Sequence, residues 1–424
     1  MAKRVVVTGM GVVSPNGIGL PAFLRAIQNG ISGIKFVPLF RELNLSCQVA
    51  GVPRFEWESL RNYVSEVTFH GLKGMNIGYG IHAALDAWAD AGLAYDTAEP
   101  HWDTGCIFGN SVADTEAMKN VIIRVDNKEA KKLGSRVVEQ AMNSGVTSYI
   151  SGRLGLANKV ITNSAACATG TQAILMGYEY IKHGYAKRML AGSSEYVDTY
   201  VYGAFDSMRV LSRKFNDDPE HASRPMSSSA GGFVPGSGAG ALILEDLDFA
   251  LERGARIYAE ILGGSANSGG QRNGGSMTAP NPVGVKRCIQ EAVENSGIKP
   301  GDIDLISGHL TATMADKQEI QMWSEALDRN GAAFPMVNSL KSMIGHCLSA
   351  AGSIESVASI LQIVHNFVHP NINLGDPNPE ITRIIGVENM PTALVHKDIN
   401  ILAKANFGFG DVNTCLIFSK YDKK

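Results

Sequence analysis

Residues 163–171 read NSAACATGT. The short β-branched run VIT at 160–162 precedes them. After them Ile174, Tyr178 and Ile181 recur at three- and four-residue spacing. This predicts a strand, a tight turn of small residues and a helix, which is the unit of an α/β fold. Cys167 sits in the turn, with Ala, Ser, Thr and Gly on both sides. The reading places its thiol in the open at a helix N-terminus. There the free N–H groups and the helix dipole favour a thiolate and can hold a developing oxyanion. The competing reading is a buried structural cysteine, a common fate for a lone one.

The same alternation runs through the rest of the chain. Apolar strand signals fall at 4–8, 105–109, 189–191, 241–244, 257–262 and 401–403. Helical spacing links Ile81, Leu85 and Trp88, and again Ile354, Val357, Ala358 and Leu361. Alternating strands and helices predict buried sheets covered by helices. A charged segment at 247–256, LDFALERGAR, lies between two strand signals. It divides the chain into an N-terminal half, 1–250, and a C-terminal half, 251–424. The Gly-rich stretch 263–275 reads as a loop. No solenoid-type repeat is present.

The 424 residues are 45% hydrophobic and 19% charged, with a net charge of -3. Such a chain can bury a large core, and it lacks the basic excess expected of a nucleic-acid binder. Cys47, Cys106, Cys167, Cys288, Cys347 and Cys415 form no C-x-x-C pair, which argues against a zinc ribbon or a disulfide framework. No apolar run reaches the roughly 20 residues of a membrane span. Lys3 and Arg4 precede an apolar stretch that Gly9, Gly11, Ser14 and Pro15 interrupt, unlike a secretory signal. The expectation is a cytoplasmic protein.

Three further segments carry chemistry. His309 ends the strand signal DIDLIS, with Thr311 and Thr313 just beyond it. Lys341 and His346 lie in the turn of NSLKSMIGHCLSAAGSIE, 338–355, before a helix of small residues. Phe409 is flanked by glycines in NFGFGDVN, 406–413. Each alone has an ordinary structural reading. Together, a cysteine in an elbow and two histidines in separate turns make a nucleophile-and-base set. Other patterns fail on inspection. The N-terminal VVVTGMGVVSPNG has Ser14 where a dinucleotide fingerprint needs its third glycine. GSGAG at 236–240 leads into a strand signal rather than a helix. His365 and His369 lack the Glu of a zinc helix and are followed by Pro370. The Tyr-rich segment 196–202 has no basic partner and reads as a wall or interface.

These blocks, in this order, resemble the elongating β-ketoacyl-acyl carrier protein synthases with a Cys–His–His site. The resemblance runs nearly end to end, from RVVVTGMGVVSPNG through SAACATGT, SRPMSSSAGGFVPGSGAGALILED, GHLTAT and SLKSMIGHCLSAAGSIES to NFGFGDVNTCLIF. It implies a thiolase fold: two similar halves, each with a mixed five-stranded sheet, layered α-β-α-β-α and usually paired as a dimer. It implies a 3-oxoacyl-[acyl-carrier-protein] synthase. Cys167 would hold an acyl group, which a carrier-bound malonyl unit attacks on decarboxylation, in fatty-acid or polyketide or polyene elongation. His309 and His346 match the assisting histidines, and Lys341 and Glu355 match their charged neighbours. Phe409 matches the gate whose N–H joins that of Cys167 in the oxyanion hole, and Phe205 a second aromatic at the gate. Thr311 and Thr313 match contacts to the pantetheine arm, with Thr278 a further substrate-binding candidate. Arg209, Arg213 and Lys214 are the candidates for an acidic carrier protein. No metal or redox cofactor is implied.

The chain departs from the family pattern at Leu310, where a Gly is usual, and at Asp411, which should stiffen the gate and make it more acidic. Its basic cluster around 70–80 is reduced to Lys73. Three rival functions would call for other residues. A non-catalytic chain-length subunit of a heterodimer would lack the nucleophile. A thiolase would carry a second reactive cysteine in a C-x-G turn, whereas Cys415 reads as core. A starter-unit synthase would pair its cysteine with His and Asn rather than two histidines.

Overall fold

The computed structural model describes residues 3–95, 98–112 and 114–422. Ten strands form the main sheet: β1 (Val5–Ser14), β2 (Thr104–Gly109), β3 (Val160–Ile161), β4 (Arg188–Glu195), β5 (Gly238–Asp246), β6 (Ala259–Ser268), β7 (Leu305–Ser307), β8 (Met336–Asn338), β9 (Ile401–Gly408) and β10 (Val412–Lys420). The first five lie in the order β3-β2-β4-β5-β1 and the second five in the order β8-β7-β9-β10-β6. Each block is parallel through its first three strands and antiparallel through its last three. The same topology is therefore traced twice. The fold is the thiolase fold, with one addition to the expectation of two separate sheets. Val5–Val7 pair antiparallel with Ala259–Ile261, so the two blocks join edge to edge. A short strand, Gly17–Ile18, adds to β1 as the eleventh member.

Six helices position the site: α1 (Met75–Asp90), α2 (Thr169–Lys182), α3 (Thr199–Ser207), α4 (Pro282–Asn295), α5 (Ala315–Leu327) and α6 (Ala351–His365). The pair α2 and α6 packs against both blocks and against each other, forming the middle layer. Helix α1 covers the outer face of the first block, and α4 with α5 that of the second. Their apolar faces explain this. Ile174, Tyr178 and Ile181 of α2 and Ile354, Val357 and Leu361 of α6 enter one central core with Val5, Val7, Met10 and Val12 of β1. Strict alternation would put Met10 on the opposite face from Val7. A bulge between Val7 and Gly9 resets the register, so all four point to the centre. The small residues of α6 are buried on every side, as a middle layer requires.

The glycines of the N-terminal VVVTGMG run have a packing role. A Cβ on Gly9 would come within 2.3 Å of the Ala87 carbonyl oxygen, and one on Gly11 within 2.0 Å of that of Ala83. They let the α1 backbone lie directly on β1. Residues 247–256 begin as a short helix, Leu247–Glu252, between β5 and β6. One expectation needs correction: residues 263–268 belong to β6, and only the segment beyond them is a loop. The strand continues through the glycines because β10 pairs with them as far as Ser268. Among the described residues no helix is long and apolar enough to cross a membrane.

Candidate active site

Cys167 lies at the entrance to α2, just before the N-cap Ala168. Its elbow is locally strained: Ala166 has φ 47. Thr169 holds it, its Oγ1 accepting from the Ala165 N–H at 2.8 Å and donating to the Ala166 carbonyl at 2.7 Å. The end of β9 presses on this turn. A Cβ on Gly408 would lie 2.9 Å from the Ala165 oxygen and 3.1 Å from the Cys167 nitrogen. Only glycine lets the Gly408–Phe409 backbone come that close.

The expectation of an open thiolate is corrected. Cys167 is only 9% exposed, and burial pushes its thiol up to about 11. The Lys341 ammonium and the backbone N–H groups of Phe409 and Cys167 pull the other way, but desolvation wins. Those two N–H groups lie beside the sulfur, within reach of an oxyanion formed at an acyl group on it.

The structure brings both histidines to it. Sγ of Cys167 and one ring nitrogen each of His309 and His346 lie within 4.8 Å of one another. Among the described residues this is the only cluster of three metal-ligating side chains so close. The two imidazoles meet edge to face, with centroids 5.3 Å apart. The His346 backbone is clamped: its N–H donates to the Val234 carbonyl at 2.7 Å and its carbonyl accepts from Gly236 at 2.9 Å. Its Nδ1 accepts from the Leu348 N–H at 3.2 Å, which leaves the proton on Nε2. Burial and the Lys341 charge hold His346 down to about 3 and His309 well below the usual range. Both rings are therefore neutral at pH 7.

Lys341 and Glu355 stand behind the histidines as a fully buried ion pair. A second lysine, Lys404 of β9, reaches the other carboxylate oxygen at 2.8 Å. Two ammonium groups hold Glu355 down to about 2 despite its burial. Asn406, two residues along the same strand, touches Glu355, Lys404 and His309. The loop 309–313 wraps around two acids at the start of α5. Glu319 accepts from the His309 and Leu310 N–H groups at 2.7 Å each, and Asp316 from Met226, Thr311 and Ala312. Burial raises Glu319 to about 7 and Asp316 to about 6. Sequence reasoning missed Lys404, Asn406, Asp316 and Glu319. The signal was there: a lysine and an asparagine at alternate positions of a buried strand, and two acids three apart after GHLTAT.

A cavity of about 580 Å³ leads from solvent to Cys167. Thr311, Thr313, Thr278 and Arg209 line it, with exposed Met314 at 80%. The Thr311 and Thr313 hydroxyls lie 3.0 Å apart. Phe205 of α3 lies tilted against Phe409, with ring centroids 5.9 Å apart, and also meets Phe233, which the sequence reading missed and which packs on His346. Arg213 and Lys214 are exposed but do not line the cavity. Asp411 is buried, and its carboxylate accepts from the Gln271 and Asn281 N–H groups at 2.8 Å. The gate loop is thus tied to the loop after β6. Cys415 is core, in contact with the second block's interior. Tyr202 is a buried wall, its hydroxyl donating to the Gly236 carbonyl, while Tyr200 is exposed.

Family models described as the N-terminal and C-terminal domains of β-ketoacyl synthase match residues 2–250 and 258–375. The 3-oxoacyl-[acyl-carrier-protein] synthase 2 of Synechocystis is 33% identical, covering 99% of this chain and 98% of that one. A β-ketoacyl synthase structure from Burkholderia phymatum superposes with TM-score 0.90 at 29% identity, covering 99% of this chain and all of the other. A type II polyketide acyl carrier protein in complex with its hexaketide-bound ketosynthase gives 0.87 at 29% identity over the whole of both chains.

Proposed function

The chain belongs to the β-ketoacyl synthase family, condensing enzymes of fatty-acid or polyketide elongation, and on that premise we propose that Cys167, His309 and His346 carry the reaction. The observation that supports this most is the convergence of one sulfur and two neutral imidazoles at the floor of one cavity. Cys167 attacks the acyl thioester of a carrier protein. The resulting oxyanion takes the N–H groups of Cys167 and Phe409, and the pantetheine leaves as a thiol with the proton that Cys167 gives up. A malonyl thioester then enters past Thr311, Thr313 and Thr278. Loss of carbon dioxide leaves an enolate, whose oxygen accepts from Nε2–H of His309 and His346. Each such donor can contribute roughly 2.7–4 kcal/mol to the step. The enolate carbon attacks the acyl group, and the sulfur of Cys167 leaves with its electron pair. Lys341, Lys404 and Glu355 sit too deep to touch substrate and act by their field and by holding the histidines.

Lowered imidazole basicity serves this chemistry. A protonated histidine would protonate the carbanion that must attack carbon, whereas a neutral one donates a hydrogen bond and keeps its proton. The partner in this reading is an acyl carrier protein docking at Arg209, with Arg213 and Lys214 nearby. The assembly is a homodimer, with a heterodimer as the alternative. Six unpaired, buried cysteines fit a reducing compartment such as the cytoplasm.

The test is the intact mass of the protein, and of its Cys167→Ala variant, after mixing with acyl carrier-protein thioesters of different length and unsaturation. A gain of one acyl group on the wild type alone is expected. Equal gain on both proteins, or condensation by the variant, would overturn the assignment of Cys167.

A further inference from the structure

His309 can act as a donor only if its cavity-facing nitrogen carries the proton, and nothing in the ring itself decides this. The His309 Nδ1 lies 3.2 Å from the side-chain nitrogen of Asn406. An amide has a donor end and an acceptor end, so the tautomer follows from which end faces the ring. Two independent neighbours fix that. The Lys404 ammonium can only donate, and it lies 2.8 Å from Asn406 Oδ1. The Thr171 hydroxyl bonds the same oxygen. The Glu355 carboxylate can only accept, and its Oε2 lies 3.0 Å from Asn406 Nδ2. The amide is therefore held with its NH₂ toward His309. One hydrogen goes to Glu355 and the other to Nδ1.

We infer that Asn406, oriented by Lys404, Thr171 and Glu355, is a positioning residue that keeps His309 as the Nε2–H tautomer facing the malonyl unit. This rests on the reading of His309 as a donor to the enolate. It gives Lys404 a defined task. Asn406 and the three side chains that orient it, Lys404, Thr171 and Glu355, are buried, with Lys404 0% exposed, so water does not compete at that end of the amide. Lys404 also donates to the Ala405 carbonyl at 2.6 Å, which pins its ammonium on the strand. The groups facing His309 are then Lys341, Lys404, Glu355 and Glu319 behind it and His346 beside it.

The experiment compares wild type with Asn406→Asp, the same shape with two acceptor oxygens. A carboxylate at 406 demands a hydrogen on Nδ1 and turns Nε2 into an acceptor. Acyl loading of Cys167, read by intact mass, is expected to stay within about threefold of wild type, since that step uses the oxyanion hole. Malonyl decarboxylation and condensation should fall about 100-fold or more, as when one preorganised donor is removed. Nuclear magnetic resonance of isotope-labelled histidine should show His309 changing tautomer, which a merely structural role would not produce. Lys404→Met provides a second variant: it keeps Asn406 but frees the amide to flip, and should give a smaller loss of decarboxylation with loading retained. Decarboxylation at the wild-type rate in Asn406→Asp, or an unchanged tautomer, would overturn the inference. So would equal losses of loading and decarboxylation in both variants. Failure of wild-type Cys167 to take an acyl group would instead overturn the reading of the site beneath it.

Discussion

Gly170 of α2 and Gly352 of α6 occupy each other's side-chain space. A Cβ on Gly170 would stand 2.5 Å from the Ser353 nitrogen, and one on Gly352 would stand 2.4 Å from the Thr171 nitrogen. The two middle helices thus touch backbone to backbone at their N-terminal ends. One helix carries Cys167 at its entrance; the other follows His346 and carries Glu355. This contact fixes how closely the Cys167 turn approaches the segment that follows His346.

Gly352→Ala should therefore separate the helices. The clash is with backbone and cannot be relieved by a rotamer. Overpacking of this kind costs about 1–3 kcal/mol, occasionally more. Urea unfolding should show that loss, and condensation should fall further than the loss of folded protein explains.

Burial of Cys167 fixes the pH dependence of its reactivity. With the thiol pushed up to about 11, its thiolate fraction rises about tenfold per pH unit below that value. Alkylation of Cys167 by iodoacetamide in the free enzyme, located by peptide mass, should climb steadily from pH 7 to 10. A plateau below pH 8 would reveal a standing thiolate–imidazolium pair instead.

The histidines predict a different profile for malonyl decarboxylation by Cys167→Ala. His346, held down to about 3, and His309, held well below 6.5, stay neutral through mild acid. Glu319, raised to about 7, is the group near His309 expected to titrate near neutrality. Any step near pH 7 should vanish in Glu319→Gln. Asp316, raised to about 6, is the other acid of that loop, so a fall centred at 6–6.5 that persists in both Glu319→Gln and Asp316→Asn would mean a histidine takes up a proton. The stability linkage has a definite sign for His346. Its folded value lies below the unfolded one, so the unfolded chain binds the extra proton between about 3 and 6.5. Its contribution is present above 6.5 and is lost as pH falls through that window.

Glu355→Gln removes the one anion between two buried ammonium groups. Breaking a buried pair from one side costs about 3–5 kcal/mol, since the remaining charge is uncompensated. Chemical denaturation should show that loss. Adding Lys404→Met to Glu355→Gln should restore part of it, because one stranded cation is then gone.

Asp411→Gly unties the gate. The carboxylate that accepts from Gln271 and Asn281 is lost, and with it the link between the 408–412 turn and the loop after β6. Hydrogen exchange across residues 269–281 should quicken. The Gly269 N–H still has the residue 411 carbonyl at 2.9 Å, so the strands beneath should exchange as before.

Much of the fold was legible because its signals are local. The strand–elbow–helix around Cys167 follows from a β-branched run, small residues and 3.6-residue spacing. His309, His346 and Phe409 stand in turns whose glycines and hydroxyls are visible in one dimension. The glycines of the N-terminal run were less plain. They imitate a dinucleotide fingerprint that Ser14 breaks, and only the α1 backbone lying on β1 explains them. The pairing of β1 with β6 was not legible, since nothing in either strand names its neighbour.

The sequence by itself determined which residues can do chemistry here: a thiol at a helix entrance, two imidazoles and an aromatic between glycines. The tertiary structure decided their states. A helix N-terminus argues for a thiolate, yet desolvation by packed neighbours makes Cys167 a thiol. An imidazole can carry its proton on either nitrogen, yet Leu348 and Asn406 choose for His346 and His309. Lys404 in a strand looks like an error of patterning until Glu355, from another helix, arrives beside it. Charge and protonation depend on solvent exclusion and on partners brought together across the chain, and those exist only once the layers have closed.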